Sequence, residues 1–440
     1  MLDILTLIEK IIKQIRQLIK FFETKQETTI DEIEAKVWEV ILEIGRLIVQ
    51  WLIETRGTGY TQRIILTPSG DKAEYKGISP KTITTLMGDV TVQRAYYSKI
   101  NAKGGYCPLD KSLSIPKEGY TYAVQKAMSL LAIEDSFAES AKKLSKLFPP
   151  VKVSASTIRR ITQKHGKDIT QAETEEVESV FSHKRPLPEP DIKSVVRGYV
   201  GLDGVMIPTR EGYKEMKVIT TYDTSSARGA LANNLYYRAM FSKPDELGEH
   251  LWLMLKKRGI IDGKEIIWIS DGAKWIWKLK GYHTPEGKEI LDFIHAVEHL
   301  KDFSNFAYGE ETDKSRDWLK DMKTKLRELG GLQVLSELEA LSDKCPKKSL
   351  EKLKETMLYY RNNIDRMDYP NYEREGYHIT SSPTESACRH VVGDRLKRGG
   401  MRWTEEGAQY ITSLRLKWKN NEWEDYWLSY RSNYSGLPKI

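Results

Sequence analysis

YVGLDGVMIP, residues 199–208, and IIWIS, residues 266–270, are apolar runs at strand spacing, and each pattern predicts a buried strand. The sequence between them predicts two more strands, at residues 215–223 and 236–241, and then a helix at residues 247–257. Because the helix separates the third strand from the fourth, it is expected to cross over to a strand that runs parallel to its neighbour. The predicted fold class is therefore α/β, with a mixed sheet.

Two aspartates occupy positions in these strands that call for an explanation. Asp203 lies among apolar residues in mid-strand, where a carboxylate needs a partner such as a bound cation to offset its loss of solvation. The alternative is a hairpin turn, because Asp-Gly is a common turn sequence. Asp271 directly follows the last strand, at the end of the sheet where folds of this type place functional groups. Its alternative role is the N-cap of a helix that begins near Ala273.

Glu385 is the third candidate, and it lies in SPTESACRHVVGDRLKRGGMRW, residues 382–403. Ser382, Pro383 and Glu385 match a capping box, in which the glutamate reaches back to the Ser382 amide. The surroundings favour a second role, because residues 386–420 carry eight basic and three acidic side chains, a surface suited to phosphates. Arg389 could instead pair with Glu385 along the helix. The predicted DNA-binding residues of this segment are Arg389, Arg395, Lys397, Arg398 and Arg402.

Three carboxylates on separate elements suit two Mg²⁺ ions, which are hard cations that prefer oxygen ligands, with Mn²⁺ as the expected substitute. With two ions about 3.5–4 Å apart, one activates a water or a 3′-hydroxyl and the other stabilises the departing oxygen. Such a site can cut one DNA strand and then join the freed 3′ end to another. Asp203, Asp271 and Glu385 are therefore predicted as metal ligands and as catalytic residues.

The chain before residue 194 divides into four regions by pattern. Residues 1–56 show helical periodicity in two amphipathic pieces, whose apolar stripes are typical of a core or a helical hairpin; the functional prediction for them is assembly of copies of the chain. Residues 57–120 alternate in the manner of a small β-rich unit, with turns predicted at Gly70-Asp71 and Gly88-Asp89. Residues 121–173 are predicted to form a DNA-binding helix-turn-helix region. Residues 174–193 are acidic and then proline-rich, which predicts a linker.

The helix-turn-helix prediction rests on two helices around a short turn. The first ends before Phe148-Pro149-Pro150, and the second begins after a cap at Ser154 or Ser156. An exposed basic helix start suits the major groove of DNA, although any helical hairpin would give the same pattern. The residues predicted to contact DNA from the second helix are Arg159, Arg160 and Lys164.

The net charge and the cysteine content bear on the partner and the compartment of the protein, although many basic enzymes bind no nucleic acid. The net charge of +7 favours a polyanionic partner, although it is modest for 440 residues. Three cysteines spread along the chain argue against a disulfide framework and fit a reducing cytoplasm. The apolar stretch at residues 2–22 is interrupted by charged side chains, so it predicts neither a signal peptide nor a membrane span. We therefore expect a cytoplasmic location and no membrane partner.

Four blocks of the sequence closely resemble the signature blocks of bacterial DDE transposases of the ISKra-like insertion-sequence family. The resemblance covers residues 195–427 and implies an RNase H-like core, which is also the fold indicated by three strands, a helix and a further strand. In this arrangement residues 194–300 form the first part of the core, residues 301–379 a helical insertion, and residues 380–440 the C-terminal helices. The implied catalytic triad is Asp203, Asp271 and Glu385. The four blocks are YVGLDGVMIP, IIWISDGAKWIWKL, ILDFIHAVEHL and SPTESACRHVVGDRLKRGGMRW.

The resemblance also implies a D/C-x-x-H signature, which here is Asp292-Phe293-Ile294-His295. His295 is expected to contact the scissile phosphate or to orient a ligand carboxylate, with Asp292 in support. The alternative is a satisfied polar pair at a strand end. Relatives often carry paired cysteines after RAYY that look like a zinc site, whereas this chain retains only Cys107, so the sequence does not support an N-terminal zinc site.

The expected function is that of a transposase that binds the ends of an insertion sequence and catalyses Mg²⁺-dependent strand cleavage and strand transfer. The expected partners are double-stranded DNA, as element ends and target, and further copies of the chain in a homodimer or larger assembly. The expected location is the nucleoid of a bacterial cytoplasm. Two alternatives stay open: a nuclease of the same fold that cleaves without joining, and a domesticated DNA-binding regulator whose carboxylates are structural.

Overall fold

The structure is a computed structural model that describes residues 4–25, 27–100, 103–182, 184–225, 227, 229–345 and 347–435. It is a mixed α/β protein with more than one domain, which confirms the predicted α/β class and the division into several domains. The chain divides into two compact units: unit 1 comprises Met1–His165 and Asn421–Ile440, and unit 2 comprises Gly166–Asn420. No helix among the described residues combines the length and the apolar character needed to cross a membrane.

Unit 1 begins with two helices that pack against each other, α1 (Ile4–Glu23) and α2 (Ile30–Glu54). A capping box starts α2: the Thr29 hydroxyl accepts a hydrogen bond from the Glu32 amide, and the Glu32 carboxylate accepts one from the Thr29 amide. An antiparallel sheet follows, with its strands in sequence order. The strands are β1 (Ile64–Leu66), β2 (Lys72–Thr85), β3 (Gly88–Lys99) and β4 (Gly105–Tyr106).

The turn between β2 and β3 lies two residues earlier than predicted. Thr85 pairs with Gly88, so Leu86 and Met87 form the turn, and the predicted turn at Gly88-Asp89 is wrong. Gly88 begins β3 with φ at +117°, a backbone conformation that favours glycine. That requirement explains why the sequence at Gly88 resembles a turn.

The remaining helices of unit 1 contain the two helices of the predicted helix-turn-helix. Ser136 caps the first by accepting a hydrogen bond from the Glu139 amide at 3.2 Å, and Ser154 caps the second by accepting one from the Thr157 amide at 3.2 Å. Leu144 and Ile158, one from each helix, share a buried core. The helices are α3 (Pro108–Ser112), α4 (Tyr122–Glu134), α5 (Phe137–Leu147), the first part of α6 (Ala155–Phe181), and α17 (Trp423–Ser435).

The predicted linker at residues 174–193 is wrong over its first part, because α6 continues to Phe181. Val177 and Val180 lie three residues apart on the part of this helix that belongs to unit 2, and they pack against Leu253 of the same unit. Glu175 and Glu178 lie exposed on the solvated side of the helix, whereas Glu176 pairs with Lys257 at 2.6 Å. A charged composition alone therefore does not separate a linker from an amphipathic helix.

Unit 2 is built on a five-stranded mixed sheet with the order β7-β6-β5-β8-β9. β5 pairs antiparallel with β6, and β6 with β7, whereas β8 is parallel to both β5 and β9. The helix α7 connects β7 to β8, as the sequence predicts, while the short β9 was not predicted. The bounds are β5 (Arg197–Thr209), β6 (Gly212–Thr224), β7 (Asn233–Met240), α7 (Pro244–Lys257), β8 (Glu265–Ser270), α8 (Lys274–His283) and β9 (Lys288–Leu291).

Both faces of this sheet are covered. On one face, Val200 and Trp268 pack with Leu251 of α7. On the other, Tyr199 and Ile267 belong to a larger apolar core shared with the helices that follow β9. The helices that contribute to this core are α9 (Phe293–Tyr308), α10 (Asp313–Leu329), α11 (Gly331–Leu341), α12 (Lys347–Asn363) and α13 (Tyr369–Arg374). They are followed by α14 (Ser382–Ala387), a π-helical turn (Cys388–Gly393), α15 (Asp394–Leu396) and α16 (Glu405–Lys419).

Candidate active site

The register of the parallel strands brings three aspartates to one end of the sheet. Gly201 of β5 pairs with Ile269 of β8, so Asp203 and Asp271 each lie two residues beyond a paired position. Ser270 of β8 pairs with Leu291 of β9, and the next residues are Asp271 and Asp292. Adjacent parallel strands with matched ends place these side chains on neighbouring positions. The two predicted aspartates therefore lie together, and Asp292 lies on the next strand.

Asp203 lies in the middle of an unbroken strand. β5 continues through Asp203 and Gly204, which pair with Val218 and Lys217 of β6, so the alternative of an Asp-Gly turn is wrong. The carboxylate accepts hydrogen bonds from the Gly204 amide at 2.6 Å and from the Cys388 thiol at 3.3 Å. Burial raises the pKa of Asp203, these hydrogen bonds oppose the rise, and the charge of Asp271 adds to it.

Asp271 shapes the turn after β8. Its carboxylate accepts hydrogen bonds from the Ala273 amide at 3.0 Å and from the Ser270 hydroxyl at 3.2 Å. Helix α8 begins at Lys274 with Ala273 in the capping position, so the N-cap alternative for Asp271 is wrong. One carboxylate oxygen accepts both bonds, which leaves the other available to a ligand.

Asp292 and His295 lie at the start of α9. Asp292 is fully buried, and its two carboxylate oxygens accept hydrogen bonds from the backbone amides of His295, at 2.9 Å, and Ser381. It thereby caps α9 and ties the segment before α14 to the end of β9. His295 is half-buried, and its Nδ1 lies 3.0 Å from the Glu298 carboxylate. Both oxygens of Asp292 thus accept backbone hydrogen bonds, whereas the His295 ring pairs with Glu298 and not with the Asp292 side chain, as the alternative of a polar pair would require.

Glu385 is carried on α14, which lies close to β5. Gly201 makes this approach possible, because a Cβ atom at this position would lie 2.0 Å from the Thr384 hydroxyl. The N-cap of α14 is Ser381, with no side-chain capping bond, so the predicted capping box with Ser382 as N-cap is wrong. Among the described residues, no donor forms a hydrogen bond with the Glu385 carboxylate. Local helix capping therefore does not account for Glu385.

The surroundings of Glu385 connect it to the strand ends. Glu385 is an exposed residue, but the atoms around its carboxyl group partly desolvate it and raise its pKa; the charges of Asp292, Glu298 and Asp203 add to the rise, whereas His295 lowers it. Possible ligand atoms of Asp292, His295 and Glu385 all lie within 4.8 Å of one another. The helix thus brings Glu385 to the same end of the sheet as the aspartates.

The side chains at this end of the sheet include groups that could hold a divalent cation. The charge of Asp271 raises the pKa of Asp203, and the charge of Asp203 raises the pKa of Glu385. In the described part of the chain, no lysine or arginine pairs with any of the three carboxylates. Clustered, partly desolvated carboxylates repel one another unless a cation offsets their charge. Their oxygen ligands fit Mg²⁺ or Mn²⁺, and His295 adds a nitrogen at the edge of the group.

Four of the five basic residues predicted after Glu385 are exposed: Arg389, Lys397, Arg398 and Arg402. Arg395 is fully buried, with its guanidinium 4.8 Å from the centre of the Trp403 ring, so its predicted DNA contact is wrong. The π-helical turn at Cys388–Gly393 interrupts the helical face on which that prediction depends. The number of basic residues in this segment thus predicted an exposed basic surface, but it did not show that Arg395 is buried.

On α6 of unit 1, Arg159 and Arg160 are exposed, as a DNA contact requires. Lys164 instead donates hydrogen bonds to the Glu118 carboxylate at 2.5 Å and to the Tyr430 hydroxyl at 3.1 Å. Its charge is thus already paired, and its predicted DNA contact is not supported by the geometry. The sequence carries no signal for this pair, because Glu118 and Tyr430 are distant along the chain.

The hydrogen bonds that α12 and α13 make to the backbone of this site were also not predicted from the sequence. The Tyr359 hydroxyl donates a hydrogen bond to the Asp271 carbonyl at 2.9 Å, Tyr369 donates to the Leu291 carbonyl at 3.1 Å, and Tyr360 donates to the Ala296 carbonyl at 2.8 Å. Cys388, which contacts Asp203, was likewise not predicted. These contacts fix the backbone on which Asp271 and Asp292 are carried.

The comparisons with known proteins identify a family. The family described as "Uncharacterised protein family (UPF0236)" matches residues 23–424. The chain is 24% identical over 425 residues to a UPF0236 protein of Caldanaerobacter subterraneus subsp. tengcongensis, covering 92% of this chain and 81% of the relative. The name of that relative joins eleven numbered designations from one strain. A UPF0236 protein of Streptococcus gallolyticus, described as lying in the vanSb 3′ region, is 26% identical over 385 residues, covering 82% of this chain and 77% of the relative.

Proposed function

The chain belongs to the UPF0236 family, and we propose that it is a transposase that cuts DNA at the ends of a mobile element and joins them to a target. The observation that carries this proposal is the grouping of Asp203, Asp271 and Glu385 at one end of the mixed sheet, without a cation partner among the described residues. A site of this chemistry suits metal-dependent phosphoryl transfer.

The topology of unit 2 supports an RNase H-like catalytic core. Three antiparallel strands, a crossing helix and a parallel strand occur in that order, and β9 extends the parallel side. In this interpretation α10 to α13 are the helical insertion, and α14 returns the chain to the sheet with the third carboxylate. Fold alone does not establish the activity, so the argument rests on the carboxylates.

In the proposed site, Asp203, Asp271 and Glu385 would hold two Mg²⁺ ions. Bound Mg²⁺ supplies activation of the attacking hydroxyl and stabilisation of the leaving oxygen. His295 would face the substrate phosphate or orient Glu385, because it lies within 4.8 Å of that carboxylate. Asp292 would act as a positioning residue, since its two oxygens are used by the His295 and Ser381 amides.

Two further features favour a DNA partner and a mobile gene. The exposed side chains of Arg389, Lys397, Arg398 and Arg402 follow Glu385 and suit the phosphate backbone. A second exposed pair, Arg159 and Arg160, lies on the helix of the predicted helix-turn-helix. The name of one relative joins eleven designations from a single strain. Repeated copies of one gene in that strain would give such a name.

The test is a cleavage and joining assay on labelled oligonucleotides that carry the DNA flanking the gene. We expect cut and joined products in Mg²⁺ or Mn²⁺ and none in EDTA. Asp203→Asn, Asp271→Asn and Glu385→Gln should each reduce both products by at least about 100-fold, because each removes a ligand. Asp302→Asn, at an exposed position of α9, is the matched control and should remain active.

The products separate this proposal from its alternatives. Metal-dependent cutting without joining would indicate a nuclease of the same fold. DNA binding without metal-dependent cutting would indicate a regulator whose carboxylates are structural. Full activity of the three carboxylate variants would refute the proposed site.

A further inference from the structure

The first two helices of unit 1 leave an unusually apolar surface exposed. Of the 34 large hydrophobic residues that are exposed in the described part of the chain, 13 lie in α1 and α2. Contiguous apolar surface of this kind marks an interaction site, because isolated monomers rarely expose it. We propose that this surface binds a second copy of the chain, with α1 of each copy packed against α2 of the other. The inference does not depend on the proposed catalytic function.

Helix α1 has two apolar faces, and only one is used inside the monomer. Leu7 is buried, and Lys36 of α2 lies over the Phe21 ring at 5.4 Å, so one face of α1 packs on α2. The second face is formed by five isoleucines at helical spacing that are each 40–53% exposed. We call this set the α1 stripe; its members are Ile4, Ile8, Ile12, Ile15 and Ile19.

Helix α2 also presents more apolar surface than the monomer uses. It packs on β3, where the Gln50 side chain exchanges hydrogen bonds with the Thr91 backbone at 2.8 and 2.9 Å. A different face of α2 carries exposed apolar residues at helical spacing. We call this set the α2 stripe; its members are Ile33, Ile41, Ile48 and Leu52.

The charges of the two helices favour contact between α1 and α2 of different copies. Helix α1 has four basic and two acidic side chains, a net charge of +2, and α2 has two basic and six acidic ones, a net charge of −4. In the described part of the chain, none of the four cations of α1 is in an ion pair. Two α1 helices would repel each other, whereas α1 and the partner's α2 attract.

These facts identify a second copy as the occupant. A two-fold axis makes both α1-to-α2 contacts identical, so the pairing closes as a dimer and covers both stripes at once. An anionic membrane is the competing occupant of a basic amphipathic helix. The net charge of −4 on the adjacent α2 opposes that binding, so the charge pattern fits a copy of the chain better than a lipid surface.

The first test is the molar mass of the full-length protein by light scattering after gel filtration. We expect a mass twice that of the 50.8 kDa chain. The double variant Ile12→Glu and Ile15→Glu should be monomeric, with a dissociation constant raised by at least about 100-fold, because charges would be buried between apolar stripes. Ile78→Glu is the matched control: Ile78 is 45% exposed on β2, outside both stripes, and this variant should stay dimeric.

A charge exchange tests which helices meet and does not require apolar substitutions. Reversing three charges on α1 gives that helix a net charge of −4, and reversing three on α2 gives it +2. Either reversal alone should weaken the dimer by at least about tenfold, and the two together in one chain should restore it. The reversals are Lys13→Glu, Arg16→Glu and Lys20→Glu on α1, and Glu34→Lys, Glu39→Lys and Glu43→Lys on α2.

Several outcomes would overturn the proposal. A monomeric wild-type protein would do so, as would wild-type sedimentation with vesicles rich in anionic lipid that depends on Ile12 and Ile15. An α1 reversal that leaves the dimer unchanged would show that α1 does not face the partner's α2. Circular dichroism of each variant must show wild-type helix content, so that loss of the dimer is not loss of the fold.

Discussion

Asp203 is the residue whose titration should be easiest to detect, because burial and the charge of Asp271 raise its pKa. A carboxyl group with a raised pKa binds protons more readily in the folded than in the unfolded chain. Its contribution to stability is thus fully present below its unfolded pKa of about 4 and is lost as the pH rises through the folded pKa. Without metal, wild-type protein should therefore lose stability relative to Asp203→Asn as the pH rises from about 4 to 7.

Melting temperatures of both proteins in EDTA, measured across this pH range, check the prediction. Added Mn²⁺ should remove the disadvantage of the wild type near pH 7, since a bound cation stabilises the ionised form. Asp302→Asn should follow the wild type at every pH, because Asp302 is exposed. If the melting temperatures of wild type and Asp203→Asn changed in parallel with pH, the surroundings of Asp203 would not destabilise its ionised form.

Asp292 is expected to matter through the backbone that it holds. Asparagine would replace one acceptor oxygen with an amide donor that faces the His295 or Ser381 amide, so one buried donor would lose its partner. We expect Asp292→Asn to lower the free energy of unfolding by about 1–3 kcal/mol in urea denaturation. A loss below about 0.5 kcal/mol, the size expected for exposed Asp302→Asn, would contradict this role.

The residues of the site were predictable to different degrees. Asp203 stands out in the sequence because an apolar strand rarely tolerates a carboxylate without a partner. Glu385 does not, because its local sequence matches a capping box that the structure does not form. Buried pairings such as Arg395 with Trp403 depend on tertiary contacts that no local pattern encodes.

Helix α14 packs on β5, and this contact places Glu385 next to the sheet. Gly201→Ala should disturb it, because the new Cβ would lie 2.0 Å from the Thr384 hydroxyl. We expect a loss of about 1–3 kcal/mol in stability and weaker Mn²⁺ binding. Adding Thr384→Ala should recover part of both losses, since it removes the hydroxyl oxygen that the new Cβ meets.

Gly281→Ala is the control for this experiment. Gly281 lies within α8, and a Cβ there would meet nothing within 4 Å, so alanine should be neutral or slightly stabilising. Unfolding curves and Mn²⁺ titrations of the three variants provide the comparison. If Gly201→Ala were as stable as Gly281→Ala, the packing of α14 on β5 would not depend on the absence of a side chain at position 201.

Element prediction succeeded where periodicity was unambiguous. The alternating and continuous apolar runs located β5, β6 and β8, because a strand buried in a sheet needs that pattern. β9 was not predicted, because its four residues are too few to show the alternation of a strand. The C-terminal end of α6 was not predicted, because its acidic composition resembles a linker and only two valines, which pack on Leu253, show the helical period.

At the scale of the whole chain, the C-terminal helix belongs to the unit that contains the N-terminus. α17 follows unit 2 in sequence, yet it packs within unit 1. Glu424 of α17 pairs with Lys126, and the Tyr426 hydroxyl forms a hydrogen bond with the His165 ring at 2.8 Å. The chain therefore leaves unit 1 within α6 and returns to it after Asn420. No local pattern predicts such a return, because it depends on contacts between residues about 260 positions apart.

This arrangement predicts that destabilising α17 lowers the stability of unit 1 and leaves the stability of unit 2 unchanged. Trp427 is buried, with its ring centre 4.6 Å from that of His165, and Trp427→Ala should cost about 3–5 kcal/mol of unit 1 stability. Hydrogen exchange measured by mass spectrometry should show faster exchange in α4 and unchanged exchange in β5 and β8. Leu428→Ala, at an exposed position of the same helix, should alter neither region. Faster exchange in β5 and β8 with Trp427→Ala would mean that the two units unfold as one, and would reject the independence that the division of the chain implies.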